Sequence, residues 1–430
     1  MARPVRYKIV GLLFSGTVIN YIDRVNIAVA APVIMATAGW SKSELGTIFS
    51  AFLVGYAVLQ LPGGLVADRW SARKVLAFAF FGFSLFTALT PQAVSVFWLL
   101  LSTRFLVGMF ESVTFPALTA LNAHWIPRAE FGRAQTLSVS GVTVGQMVAY
   151  PLTGWIILNF SWQIVFYFNA LLGLIWAVVW LRFATDTPSE HPQISEEERT
   201  YIEANLTPKP AVSLPLRTVF ANTSLLIVTF SYMCFAYVLW MFLFWFPSYL
   251  VEARGMSIGE MSTVGVFMHA GAFVGIVGSG ALSDWLLRNG WSPQFARVRF
   301  GGFGLALALP CLVMAALAPS AAGCVVFLVL FYGLFSIGIG IFTTIAIEFN
   351  PHQAGAIFGM MNTLGTFAGI LGPWSAGQLI EKSGGDWTLP LFVAAGVGAV
   401  SAIILFLVKI KKVELENVIP AVAAESAAGS

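Results

Sequence analysis

Charge is scarce in this sequence. Asp, Glu, Lys and Arg make up only 10% of its 430 residues, while 58% are hydrophobic. Soluble globular chains run at about 25% charged residues, so a water-exposed globule is excluded. Cysteine and histidine are scarce too. Cys234, Cys311 and Cys324 all fall inside apolar stretches, which excludes a disulfide framework, and four scattered histidines give no metal-ligand spacing. A phosphate-binding glycine loop and a protease-like nucleophile pattern are also missing, so no cofactor is expected and an enzyme is disfavoured. A net charge of +3 gives no basis for a nucleic-acid partner.

What the chain has in abundance is long apolar runs. Twelve are long enough to cross a hydrocarbon core of about 30 Å at about 1.5 Å per residue. Their approximate limits are 9–37, 44–67, 75–94, 97–120, 134–158, 162–181, 222–250, 259–283, 298–318, 322–346, 354–380 and 387–408. The expected fold is therefore an all-α membrane protein of twelve transmembrane helices, with the lipid bilayer as its solvent. With the N-terminus inside, eighteen of the 23 Lys and Arg residues lie in cytoplasmic segments and only Lys42, Arg254 and Lys382 outside. That bias places both termini in the cytoplasm of a multi-pass protein of the cell's inner membrane.

The chain divides near its middle. Residues 1–182 form one six-span half, 183–220 a polar linker, 221–410 a second half and 411–430 a tail. Ser195 followed by Glu198 is a capping-box pattern, which predicts a short surface helix over 196–205. The halves echo each other. "GGLVADRWSARK" follows span 2 and "GALSDWLLRNG" follows span 8, so Gly64–Asp68 is repeated as Gly280–Asp284. Span 5 carries Gly141, Gly145, Pro151 and Gly154, and span 11 carries Gly365, Gly369, Pro373 and Gly377. Duplicated six-helix halves are one of the architectures of secondary transporters.

Four ionisable side chains lie deep within spans: Asp23 and Arg24 in the first, Arg104 and Glu111 in the fourth. Such residues are costly in hydrocarbon, by a few kcal/mol each. Arg104 and Glu111 are seven residues apart and so share a helix face, with Gly108 between them. A buried Arg keeps its charge and presents a planar fork that fits a carboxylate. A buried carboxylate resists ionisation unless a cation is near. Arg24 and Arg104 thus suit an organic anion, and Asp23 and Glu111 suit the uptake and release of protons. The alternative is a structural pair locking the two helices.

"GGLVADRWSARK" resembles the loop motif of the major facilitator superfamily in Gly64, Asp68, Arg69, Arg73 and Lys74; Ser71 and Ala72 depart from it. The resemblance implies two pseudo-symmetric six-helix bundles and a gating role for this loop and for Asp284. "NYIDRVNIAVAAP", "RFLVGMFESVTFPA", "HWIPRAEFGRA", "TPSEHPQISEEERTYI" and "WFPSYL", in that order, resemble the anion:cation symporter family over nearly the whole chain. What this implies is alternating-access, proton-coupled uptake of an organic anion such as an aldonate, aldarate or hexuronate. The matching carboxylates, Asp23 and Glu111, are implied to carry protons. Arg24 is implied to contact substrate, and Tyr21, Tyr56, Gln146, Asn362 and Tyr232 occupy positions matching the substrate cavity. The implied partners are the small anion and protons, and the chain is expected to act as a monomer. Efflux of a drug or metabolite by an antiporter of the same fold is the alternative. It is weakened because "AYPLTGW" keeps only Pro151 and Gly154 of the export pattern. His269 in span 8 is expected to be a hydrogen-bonded interior residue, and Trp240 and Trp245 are open between packing and cavity roles.

Overall fold

The computed structural model describes residues 4–206, 222–350 and 354–411, apart from the side chains at 61, 64, 65, 68, 69, 355 and 356. The later part of the linker and nearly all of the tail lie outside the described residues, as do the side chains of Asp68 and Arg69. The described chain is helical, with no strand. The first helices are α1 (Val5–Ala38), α2 (Lys42–Arg69), α3 (Ala72–Ala93), α4 (Phe97–Ser112), α5 (Thr114–Trp125), α6 (Arg128–Asn159) and α7 (Trp162–Phe183). A short α8 (Glu196–Ala204) precedes α9 (Thr223–Ser248), α10 (Ile258–Arg288), α11 (Phe300–Leu317), α12 (Ala321–Phe349), α13 (Ala354–Lys382) and α14 (Thr388–Leu407). Among the described residues eleven membrane-crossing stretches meet length and composition requirements. The eleventh expected span, 354–380, coincides with α13, a helix of 29 residues.

Local chemistry sets the helix ends. Gly39 closes α1 in the left-handed conformation at φ 73°. Ser41 and Glu44 then form a complete capping box at the start of α2. The fourth span is not continuous: α4 stops at Ser112 and α5 starts at Thr114. Pro116 explains the break, because it has no N–H for the carbonyl of Ser112 and its ring crowds that carbonyl. Ser195 caps α8 through the Glu198 N–H as the capping pattern requires. The Glu198 carboxylate, however, turns to α1, accepting from the Val5 and Arg6 N–H groups at 2.9 and 3.1 Å. It thereby satisfies the orphan donors of that helix start.

The chain forms two compact units. One comprises residues 1–208, 239–270 and 369–390; the other comprises 209–238, 271–368 and 391–430. Within the first, α1 packs on α6 and α7, α2 on α4, and α3 on α4 and α7. Glycines let backbones approach closely. A Cβ on Gly141 or Gly145 of α6 would sit 2.6 Å from the Phe14 or Val18 carbonyl of α1. A Cβ on Gly108 would meet the Phe52 carbonyl at 2.0 Å, and one on Gly55 the Phe105 carbonyl at 1.9 Å. Such small-residue contacts are how helices associate tightly in lipid, where no hydrophobic drive distinguishes helix from solvent. In the same unit the start of α2 meets the far part of α13: the Ser43 N–H donates to Glu381 at 2.8 Å and the Ser50 hydroxyl to the Ile370 carbonyl at 2.7 Å. Lys42 also pairs with Glu252.

In the second unit α11 and α12 form a packed antiparallel pair. Phe235 stacks on Phe335 at 4.4 Å, and Arg297 pairs with Glu348 at 2.7 Å. Glu348 is thus an ion-pair partner at the end of α12.

Candidate functional site

The four in-span charges expected to carry function are all buried and lie in one unit. Asp23, Arg24, Arg104 and Glu111 are each 0–1% exposed. Besides histidine, they are the only ionisable Asp, Glu, Lys or Arg side chains fully buried among the described residues. α1 supplies the first two and α4 the others. Gly55 and Gly108 bring α2 within backbone contact of α4 beside them.

Arg24 is heavily engaged. Its Nε donates to Glu111 Oε2 at 2.9 Å and a terminal nitrogen pairs with the same oxygen at 2.8 Å. It also donates to the Tyr21 hydroxyl at 3.2 Å and to Asn20 Oδ1 at 3.4 Å. Four aromatic rings surround the guanidinium carbon: Tyr21 at 4.5 Å, Tyr56 at 4.9 Å, Phe52 at 5.3 Å and Trp240 at 5.8 Å. Such faces stabilise a cation by about 0.5–2 kcal/mol each where water is excluded.

Arg104 differs sharply. None of its three guanidinium nitrogens has a hydrogen-bond partner among the described residues. Asp23, Glu111 and Arg24 are its charged neighbours, and its guanidinium carbon lies 5.4 Å from the centre of the Phe52 ring. Asp23 accepts from the Thr87 hydroxyl at 2.8 Å and from the Asn26 amide at 3.1 Å. Glu111 uses only one oxygen; Oε1 has no partner among the described residues. Its remaining acceptor lone pairs are therefore available to a proton or to a neighbouring donor.

The other expected positions separate. Tyr21 and Tyr56 join the cluster. Gln146 follows Gly145, whose close neighbour is Tyr21, and it is half-buried. Tyr232 and Asn362 lie in the second unit, where the Tyr232 hydroxyl donates to Asn362 Oδ1 at 2.9 Å. In the first turn of α3, the Arg73 N–H donates to Asp186 at 2.9 Å and its guanidinium reaches the Leu181 carbonyl. Gly64, Asp68 and Arg69 close α2, with their side-chain positions outside the description. Asp284 is exposed near the end of α10. His269 is buried, hydrogen-bonded at 2.8 Å to the Gly265 carbonyl and packed against Tyr150. Trp245 is a packing residue whose indole N–H donates to the Pro373 carbonyl at 2.9 Å.

Sequence reasoning missed Asn20, Asn26, Phe52 and Thr87. Asn20 and Asn26 carried a usable signal, since both flank the charged pair at helical spacing. Thr87 and Phe52 carried none, because both residue types are common in membrane helices.

A multi-pass helical membrane protein with buried ionic groups joining two helices is the architecture of a secondary carrier. A sequence profile of the Major Facilitator Superfamily matches residues 13–373, and the chain belongs to that superfamily. The probable sulfoacetate transporter of Cupriavidus necator is 31% identical, over 93% of this chain and 94% of its own. The hexuronate transporter of Bacillus subtilis is 31% identical, over 86% of this chain and 87% of its own. A crystal structure of a bacterial homolog of the human lysosomal transporter Spinster has a TM-score of 0.76 at 18% identity, covering 95% of this chain and 98% of that one. At that identity the likeness speaks for the fold alone. Membership places the chain among transporters rather than enzymes, as the missing catalytic motifs had led us to expect.

Proposed function

We propose that this protein is a proton-coupled symporter that takes up an organic anion, of the sugar-acid class that includes aldonates, aldarates and hexuronates. It would act as a monomer in the inner membrane with both termini cytoplasmic, the orientation that the basic-residue bias supports. The observation that carries the proposal is the pairing of Arg24 with Glu111 beside Arg104. An anion that competes for Arg24 must displace the Glu111 carboxylate. Protonation of Glu111 removes that competitor, so proton and anion bind in concert. Relatives named as a probable sulfoacetate transporter and a hexuronate transporter support the anionic class.

In this mechanism Asp23 is the second proton acceptor, and Thr87 and Asn26 stabilise its ionised form by donating to it. The aromatic box positions Arg24, and the hydroxyls of Tyr21 and Tyr56 are suited to the hydroxyl groups of a sugar acid. A thermal-shift screen of the purified protein tests the class. Sugar acids are expected to stabilise it while their parent sugars do not. Stabilisation by neutral sugars or by cationic drugs, with none by carboxylates, would overturn the proposal.

A further inference from the structure

We infer that the site is built for a dianion, a small molecule with one acidic group for Arg24 and a second for Arg104. The inference rests on the organic-anion reading above and narrows it. Its starting point is the unequal treatment of two buried guanidinium groups. Arg24 donates to Glu111, Tyr21 and Asn20. Arg104 is equally buried, yet its three nitrogens donate to nothing among the described residues.

A guanidinium has five N–H donors and no means of losing its charge. Leaving them unmet in a buried position is costly. Asp23 and Glu111 are charged neighbours of Arg104 but do not hydrogen-bond it. Asp23 accepts from Thr87 and Asn26 and Glu111 Oε2 accepts from Arg24, while Glu111 Oε1 is unengaged but makes no hydrogen bond with Arg104. The group that fits Arg104 is therefore an anionic oxygen pair from outside the chain, held in fork geometry.

Charge balance agrees. With both carboxyls ionised, the cluster of two cations and two carboxylates is neutral. When both carboxyls are protonated, two guanidinium charges remain, and a dianion restores neutrality. A monoanion entering with one proton also balances charge, but it leaves one guanidinium without hydrogen-bond acceptors. Both guanidinium carbons lie close to the Phe52 ring, 5.3 and 5.4 Å from its centre, a shared neighbour that places the two cations within the span of one small diacid. Phe52 is thus a neighbour shared by both cations, and acts here as a positioning residue.

Matched acids of equal chain length test this. Binding of glucarate against gluconate, and of tartrate against threonate, is titrated to the purified full chain in nanodiscs at one acidic pH. In at least one pair the diacid is expected to bind tenfold or more tightly than the monoacid. In Arg104→Gln that ratio falls to near one, and Arg104→Lys, which keeps the charge without the fork, gives an intermediate ratio. Monoacids that match or beat the diacids in both pairs overturn the inference while leaving the anion reading intact. A diacid preference that survives in Arg104→Gln also overturns it. Failure of all four acids to bind sinks the anion reading and this inference with it. If Arg104→Gln does not fold, the wild-type ratios and Arg104→Lys still decide.

Discussion

Replacing Glu111 by Gln keeps the shape of the side chain and its power to accept from Arg24, but removes its charge and its proton. Arg24 makes two contacts to one Glu111 oxygen, at 2.9 and 2.8 Å. A hydrogen bond to a charged group contributes about 1.5–3 kcal/mol, and a neutral one about 0.5–1.5. Arg24 keeps its charge, so its bond to the substituted amide falls from the upper to the lower end of the charged range, a loss of about 1.4 kcal/mol, which corresponds to roughly tenfold in affinity. Anion binding above neutral pH should tighten by that factor. In the wild type, affinity should fall as pH rises and Glu111 ionises; in Glu111→Gln most of that dependence should vanish. Arg24 also loses its counter-ion, so the empty protein should be less stable by up to about 3 kcal/mol, the lower end of the cost of breaking a buried pair. Added anion should restore that loss. The assay is paired: binding at acidic and alkaline pH, with counterflow and pH-driven uptake in the same vesicles. Exchange should persist and accumulation should fail. An unchanged pH dependence of binding, or normal pH-driven accumulation, would refute the coupling role and direct attention to Asp23.

Other outcomes follow from the same geometry. Arg24→Ala and Arg104→Ala should each abolish uptake while the protein still inserts and folds; saturable, wild-type-like transport by either variant shows that it does not anchor substrate. Gly108→Leu should destabilise the protein by about 1–3 kcal/mol through overpacking, since even a Cβ there meets the Phe52 carbonyl at 2.0 Å; an unchanged melting temperature counts against the close α2–α4 approach. Asp68→Asn should slow transport with little change in substrate affinity, because its position at the end of α2 is remote in sequence from the charge cluster; a large affinity loss without a rate change contradicts this. His191 is buried between Trp125 and Phe183, and burial holds its pKa below the ordinary 6.5. The stability its neutral ring confers is present above that value and lost as pH falls through the lowered pKa. Thermal unfolding at pH 8 and pH 5 should show less acid sensitivity in His191→Gln than in the wild type.

Much of this architecture was legible because the bilayer imposes one rule on every span: an apolar run of sufficient length. The buried cluster was legible for the converse reason, since only four charges lie deep within those runs. The seven-residue spacing of Arg104 and Glu111 also placed them correctly on one buried face. What resisted was partner choice. Nothing local distinguishes Thr87, which donates to Asp23, from Thr90, which donates to its own helix. The Glu198 carboxylate looked like half of a capping box and serves the start of α1 instead. The break between α4 and α5 had a signal in Pro116, but a proline inside a membrane helix does not always interrupt it: α6 runs through Pro151 intact. The contacts of α2 with α13 join segments more than 300 residues apart, which no local pattern reports.

The most direct test of coupled anion transport is uptake of a labelled sugar acid into proteoliposomes containing only this protein, with the interior made alkaline. Proton symport predicts a transient accumulation above the external concentration that collapses when a protonophore is added and is absent in Glu111→Gln. Equal uptake with and without the pH gradient, or accumulation driven only by a sodium gradient, would contradict it.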